Sequence, residues 1–261
     1  MKTRDNPGSP MPGPDVLPKA KSLLFHAGRN AEGFLFPTLC IVCRGMRSSK
    51  NSWLCDQCAS QLLRNHESRD ACPRCSQNRL ARQCACEYAW DFPFEKIYSL
   101  FDFDDIVKEL SHAFKYGGFK RLAFDIGKTY GRLIPQDFFD GMEIAVPVPL
   151  HFLRALKRGY NQAEYFARGI MASGFGRPVL CTQALKRRKA TRTQTALSKE
   201  QRTKNLASAF HVPPARVHLI KGKNVVLVDD IVTTGATTGQ CATALLDAGA
   251  KSVRVLSLAR D

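Results

Sequence analysis

The run VVLVDDIVTTGAT at 225–237 constrains this chain more than any other feature. Its first four residues are apolar and mostly β-branched, as in a strand covered on both faces. Two acids follow, Asp229 and Asp230, and then a loop of small and hydroxyl residues: Thr233, Thr234, Gly235, Ala236 and Thr237. The loop enters a helical pattern at 237–248, with Cys241, Leu245 and Ala248 facing inward and Gly249 as its stop. In a parallel α/β sheet, ligands gather at the carboxyl ends of the strands. Backbone N–H groups of such a loop, with the start of the helix, make an anion site. The three threonines add hydroxyl donors, and Gly235 lets the backbone approach a phosphate closely. Asp229 and Asp230, one step upstream, are placed to hold the hydroxyls of a ribose attached to that phosphate. A plain strand-turn-helix connection with an acidic N-cap would explain a lone Asp-Asp, but not the whole run.

The surrounding pattern predicts alternating strands and helices. Strands are expected at 96–103, 144–148, 179–185, 224–228 and 252–258. Helices are expected at 105–116, 121–133 and 161–172, the first carrying Ile106, Leu110, Ala113 and Phe114 on one face. This alternation implies an α/β fold with a parallel sheet flanked by helices. Gly127-Lys128-Thr129 mimics the end of a P-loop, but position 122 is Leu122 rather than glycine, and the segment reads as helix interior. No G-x-G-x-x-G follows a strand, which argues against a dinucleotide-binding fold.

Eight of the ten cysteines fall between 40 and 86 in pairs: Cys40 with Cys43, Cys55 with Cys58, Cys72 with Cys75, and Cys84 with Cys86. A two-residue gap lets both thiolates of a tight turn face one ion, and two such turns complete a tetrahedron. The segment has few apolar residues, mainly Trp53, Leu54, Leu62 and Leu63, so it needs metal to hold it. Two structural zinc sites are the leading reading. One site with a degenerate partner, or redox-active or disulfide-bonded pairs, are the alternatives. Four thiolates leave no open coordination position, so the zinc reading is structural rather than catalytic.

The formal net charge is +16, and Lys and Arg crowd 154–204, where Glu164 and Glu200 are the only acids. Such a field attracts polyanions, nucleic acid or a small polyphosphate, although a solvated basic face has the same signature. No run approaches the roughly 18–20 apolar residues of a membrane-spanning helix. The first residues are rich in proline, glycine and charge and lack the apolar stretch of a secretory signal, so a cytoplasmic location is expected. The boundaries read as a flexible leader at 1–34 with a weak helix around 20–36, a cysteine module at 35–92, and an α/β domain at 93–261.

The run at 225–237 resembles the phosphoribosyl-pyrophosphate (PRPP) motif of type I phosphoribosyltransferases. Further stretches narrow the resemblance to the ComF family, which includes proteins linked to competence and DNA uptake. They are VPVPL at 146–150, KRGYNQ at 157–162, and KATRTQTALS at 189–198 with Arg202, Asn205 and Phe210. The paired cysteines resemble that family's double zinc ribbon, and the resemblance runs from about residue 36 onward. It implies that Asp229 and Asp230 bind the ribose, that 233–237 hold the 5′-phosphate, and that Mg²⁺ accompanies the pyrophosphate. Arg158 is implied as a counter-charge to the pyrophosphate. The basic segment 187–202 corresponds to the loop that closes over such sites, with Arg188, Lys189 and Arg192 as its candidates. Single-stranded DNA and a DNA-uptake helicase are the implied partners. The chain stops directly after its last expected strand, so a hood over the site is expected from 36–140. Two functions remain open: transfer of phosphoribose to an acceptor, and a non-catalytic nucleic-acid-binding accessory regulated by PRPP.

Overall fold

The computed structural model describes residues 39–48, 52–84, 86, 90–116, 119–150, 158–174, 178–187 and 209–261. Its frame is a five-stranded parallel sheet in the order β1-β7-β6-β2-β3. The strands are β1 (Ile97–Asp102), β2 (Ile144–Pro147), β3 (Val179–Leu180), β6 (Asn224–Val232) and β7 (Ser252–Arg260). Two short strands, β4 (Lys186–Arg187) and β5 (Phe210–His211), form a separate antiparallel pair. The helices are α1 (Asp56–Ser68), α2 (Asp105–Tyr116), α3 (Lys120–Tyr130), α4 (Gln162–Ala172) and α5 (Ala236–Asp247). None of the helices among the described residues is long and apolar enough to cross a membrane.

The alternation of side chains along β6 and β7 divides the core. Val225, Leu227, Val253 and Val255 pack with Cys241, Ala242 and Leu245 of α5. Val226, Val228, Leu256 and Leu258 face the other way, onto Phe166, Ala167 and Ile170 of α4. The same cluster takes in Ile126 of α3, Phe114 of α2, and Ile41, Leu54 and Leu62 of the cysteine-rich segment. That segment therefore borrows the apolar core it lacks by itself. Each fully buried Phe or Leu here contributes about 1.5–3 kcal/mol relative to exposure.

The expected helix at 105–116 appears with those bounds, although Val107 rather than Ile106 is fully buried on its inner face. At 121–133 the helix is α3 followed by a 3₁₀ turn, Gly131–Leu133. The strand expected at 179–185 is shorter: β3 ends at Leu180, paired with β2 at Ile144 and Ala145. The strand expected to end at Val228 is longer, since β7 continues alongside it and pairs Ile231 with Ala259 and Val232 with Arg260. Sequence reasoning missed α1. Its first turn begins at the metal-type spacing itself: Cys55 is the N-cap and its thiol accepts from the Cys58 N–H, while Cys58 and Leu62, four apart, make the buried face. The helix expected around 20–36 lies outside the described residues.

α3 and α4 cross with their backbones nearly touching. A Cβ added at Gly127 would sit 2.4 Å from the Phe166 carbonyl oxygen, and one at Gly169 would sit 2.1 Å from that of Phe124. Gly127 of the P-loop mimic is thus a packing residue, and its neighbours lie in helix interior. Backbone cannot yield as a flexible side chain can. Gly169→Ala is expected to lower the free energy of unfolding by about 1–3 kcal/mol, the range for overpacking a dense contact. Urea denaturation of the two proteins checks this, and an unchanged midpoint would contradict the crossing.

Candidate phosphosugar site and cysteine clusters

β2 leads through α4 outward to β3, whereas β6 leads through α5 in the opposite direction to β7. The crevice between the carboxyl ends of β2 and β6 is therefore the topological switch point of the sheet. The last β2-side contact to β6 is the Val148 N–H donating to the Val228 carbonyl at 2.8 Å. Asp229 and Asp230 come next on β6, where only β7 accompanies the strand. The expectation that the strand ends at the acids needs correcting: they lie within a strand paired on one side, and that asymmetry opens the crevice.

Asp229 is buried and accepts from the Asp230 N–H at 2.9 Å, while Asp230 is half-buried and accepts from the Ile231 N–H at 3.0 Å. Burial, and then the neighbouring Asp230 carboxylate, push the Asp229 carboxyl well above the usual carboxylate range, while Lys115 pulls it back. Lys115 stands in the last turn of α2, and sequence reasoning missed it, because its position is that of an ordinary helix-end lysine.

The loop after β6 leads into α5 through Gly235, whose φ of +79° is left-handed and favours glycine. Thr233, Thr234, Ala236 and Thr237 are exposed, and Gly235 is buried. The Thr234 hydroxyl accepts from the Ala236 N–H at 3.4 Å, and the Gly235 carbonyl accepts from the Gly239 N–H at 2.7 Å. A Cβ at Gly235 would lie 2.9 Å from the Phe92 ring, so the aromatic segment after the cysteine pairs clamps this loop.

The structure gathers Asp229, Asp230 and 233–237 into one strand-loop-helix unit. Arg158 lies just before α4: its Nη1 donates to Gln162 Oε1 at 3.2 Å, and its guanidinium lies 5.7 Å from the Tyr116 ring centroid. Its neighbours in KRGYNQ tie elements together. Tyr160 Oη and Gln162 Nε2 both donate to the Phe114 carbonyl, and Asn161 caps α4 while its Nδ2 donates to the Val148 carbonyl at 3.0 Å. Arg188, Lys189 and Arg192 lie outside the described residues. Their segment follows Arg187 of β4.

The cysteines form two clusters, Cys40, Cys43, Cys55 and Cys58, and Cys72, Cys75, Cys84 and Cys86, with the sulfurs of each within 4.8 Å of one another. Tetrahedral zinc with Zn–S bonds of about 2.3 Å needs such spacing, so both sets fit the ion. Two matching turns supply the first pairs. Leu39 bridges Met46 and Ala71 bridges Asn78, and the residue after each second cysteine, Arg44 or Ser76, has φ near +60°. Burial opposes ionisation of Cys40, but N–H groups of Cys43, Cys55 and Val42 outweigh it and bring the thiol down to about 6. Burial likewise opposes Cys72, yet the N–H groups of Cys75 and Arg74 bring it down to about 7. Burial and the neighbouring sulfurs push Cys58 and Cys86 up. Four such sulfurs cannot all ionise unless a cation joins them.

Two outcomes follow from these environments. Purified protein is expected to hold two zinc ions per chain by elemental analysis, with Cys58→Ser and Cys86→Ser each losing one and melting lower. A single ion in the wild type would favour the degenerate-partner alternative. For Asp229 the folded carboxyl titrates above the unfolded one, so it lowers stability as pH rises through that window. Asp229→Asn is therefore expected to melt above wild type at pH 7, the gap closing toward pH 4. Calorimetric melting across that range reads it, and an equal gap at both ends would reject the assignment.

Comparison with known proteins places these features. The phosphoribosyl transferase domain family matches residues 138–261. The DNA utilization protein YhgH of Salmonella typhimurium is 31% identical over 238 residues, spanning 86% of this chain and 97% of that protein. Competence protein F of Haemophilus influenzae is 29% identical over 231 residues, 85% of this chain and 96% of that one. Competence protein ComFC of Bacillus subtilis is 27% identical over 260 residues, 88% and 98% of the two chains.

Proposed function

This chain belongs to the ComF family, and from that premise we propose that its crevice binds PRPP with Mg²⁺ and serves phosphoribosyl transfer in DNA uptake. The observation that carries the reading is the pair Asp229–Asp230 where β6 loses its β2 neighbour, followed at once by the hydroxyl loop and the start of α5. The 5′-phosphate sits on 233–237, met by backbone N–H groups, by the Thr233, Thr234 and Thr237 hydroxyls, and by the positive end of α5. Asp229 and Asp230 take the ribose hydroxyls and hold C1 toward the β2 side. Mg²⁺, when bound, neutralises the leaving pyrophosphate. Lys115 adds positive charge beside Asp229, and Arg158 answers the pyrophosphate from the start of α4. Arg188, Lys189 and Arg192 are the further substrate-binding residues of this reading.

Held ribose and neutralised pyrophosphate are what displacement at C1 requires, because its transition state develops positive charge on the sugar and negative charge on the leaving group. The zinc sites are structural in this reading, and cysteines kept for metal rather than paired as disulfides suit a reducing cytoplasm. The names of the relatives, competence and DNA utilization, support a role in DNA handling, for which single-stranded DNA and an uptake helicase are the partners of this reading.

A second reading is favoured by the net charge of +16: a nucleic-acid-binding accessory for which PRPP is a regulator rather than a substrate. Titration calorimetry with PRPP and Mg²⁺, beside Asp229→Asn with Asp230→Asn, tests the shared premise. Wild type is expected to bind and the folded double variant to lose binding. No binding by zinc-loaded wild type would remove the phosphosugar reading. The double variant is also expected to keep its DNA affinity, with both proteins losing it steeply as salt rises. Equal loss of PRPP and DNA would show one shared site.

A further inference from the structure

The two ends of the loop 233–237 are held by different means. At its near end the Val232 carbonyl accepts from Arg260 Nη1 and from the Asp261 N–H, each at 3.0 Å, so β7 fixes the exit from β6. At its far end the Phe92 ring covers Gly235, where a Cβ would lie 2.9 Å from it, and the same ring reaches Gly239 one turn into α5. A glycine has more conformations to lose than any other residue, so the left-handed turn at Gly235 depends on what covers it.

Phe92 is set in turn by the second cysteine cluster. Arg74 stands between Cys72 and Cys75. Its Nη1 donates to the Cys86 carbonyl at 3.5 Å, and its guanidinium lies 4.7 Å from the Trp90 ring centroid. Trp90 meets Phe92 edge-on at 5.2 Å and donates from Nε1 to the Phe94 carbonyl at 3.1 Å. Phe92 stacks on the buried Phe94 at 5.1 Å and 13°. The cysteine turn, Arg74, Trp90, Phe92 and Gly235 are thus one contiguous chain of contacts, of the kind that can carry coupling. The first cluster packs elsewhere. Trp53 beside it donates to Asp125 of α3 at 2.9 Å, and Ile41 and Leu54 join the core on the face of the sheet opposite α5.

We propose that Phe92 is a positioning residue that couples zinc in the second cluster to the loop 233–237, so that the loop keeps its phosphate-binding form only while that zinc is held. The inference rests on reading 233–237 as a phosphate loop, and it adds control of that site by a metal that touches no ligand. The thiolates of 72–86 close their turns around the ion, which sets Arg74 against Trp90 and the Phe92 ring against Gly235. Coupling between two bound groups is reciprocal. The factor that zinc contributes to phosphosugar affinity is returned by the phosphosugar to zinc retention. The ion of the first cluster, off this route, gains nothing.

Zinc loss from the whole, zinc-loaded chain to a chelating indicator tests the coupling. PRPP with Mg²⁺ is expected to slow the loss of one of the two ions about tenfold, within the usual range of allosteric coupling, and to leave the other unchanged. In Cys58→Ser the ion left in the second cluster should show the whole effect. Phe92→Ala should keep both ions yet lose the protection and bind PRPP about tenfold more weakly, with Phe92→Tyr restoring both. Hydrogen exchange of the loop 233–237 without any ligand reads the same link from the other end. It should quicken about tenfold in Cys86→Ser and stay at the wild-type rate in Cys58→Ser, a comparison that needs neither PRPP nor a Phe92 variant that folds. Quickened exchange confined to Cys86→Ser, in a chain whose wild type ignores PRPP, would support the coupling and sink the phosphosugar reading. PRPP bound by wild type with neither ion protected, or both protected equally, overturns the coupling and leaves that reading intact. Loop exchange unchanged in Cys86→Ser, or raised as much in Cys58→Ser, overturns it too.

Discussion

An exposed edge strand is a row of unmet backbone hydrogen-bonding groups, and β1 is the edge of this sheet. The second cysteine unit covers it. The Ile97 N–H donates to the Arg74 carbonyl at 2.8 Å, the Ser99 N–H donates to Ser76 Oγ at 2.9 Å, and Arg69 donates to the Ser99 carbonyl. Asn78 reaches Asp102 at the strand's end. A buried backbone group left unmet costs about 1–3 kcal/mol, so this docking is tightly specified. The rest of the site hangs on it. Once the unit is seated on β1, the aromatic stretch 90–94 runs along α5, Phe92 rests on Gly235, and Arg260 at the end of β7 lines one cleft with the cysteine cluster. Zinc in that cluster would act on the loop 233–237 by holding the clamp in place.

The crevice on the other side of the loop works by the opposite principle. Folding buries Asp229 beside Asp230, an arrangement that burial and like charge both disfavour. Two parallel neighbours for β6 up to Val228, and one beyond, hold the strand so that the acids have nowhere else to go. Destabilised polar groups of this kind are common where a ligand completes the arrangement, because the ligand's hydroxyls or cations supply the missing partners. Lys115, delivered by α2, is the counter-charge the protein itself provides. α2 is in turn anchored by Tyr160 and Gln162 at the Phe114 carbonyl, so the KRGYNQ stretch connects the β2 side of the crevice to that lysine.

Much of this is legible in the residues. Both sets of four cysteines, the alternation of strands and helices, and the diacid-loop-helix run can be read from the chain alone, because a ligand spacing or a hydrophobic period is written within a dozen consecutive residues. The expectations that need correction share a cause. β6 runs past Val228 because β7 runs beside it, β3 pairs with β2 only as far as Leu180, and Val107 joins Ile106 against the core because of what α2 packs against. α1 escapes a reading of the sequence because the spacing that signals metal also begins a helix, and only Leu62 finding the shared core distinguishes the two.

The sequence by itself determined which groups are present and how each is spaced along the backbone: two sets of four thiols, a pair of adjacent acids, a hydroxyl-rich turn at a helix start. Tertiary structure alone decided which of them meet. Strand order put the switch point between β2 and β6, and the docking of the second cysteine unit on β1 brought Trp90, Phe92 and Arg82 to a loop far along the chain. The reason is physical. Local geometry follows from fixed covalent distances and dihedral preferences, whereas a long-range contact is chosen by how faces and unmet hydrogen bonds of distant segments fit, which no window of neighbouring residues records.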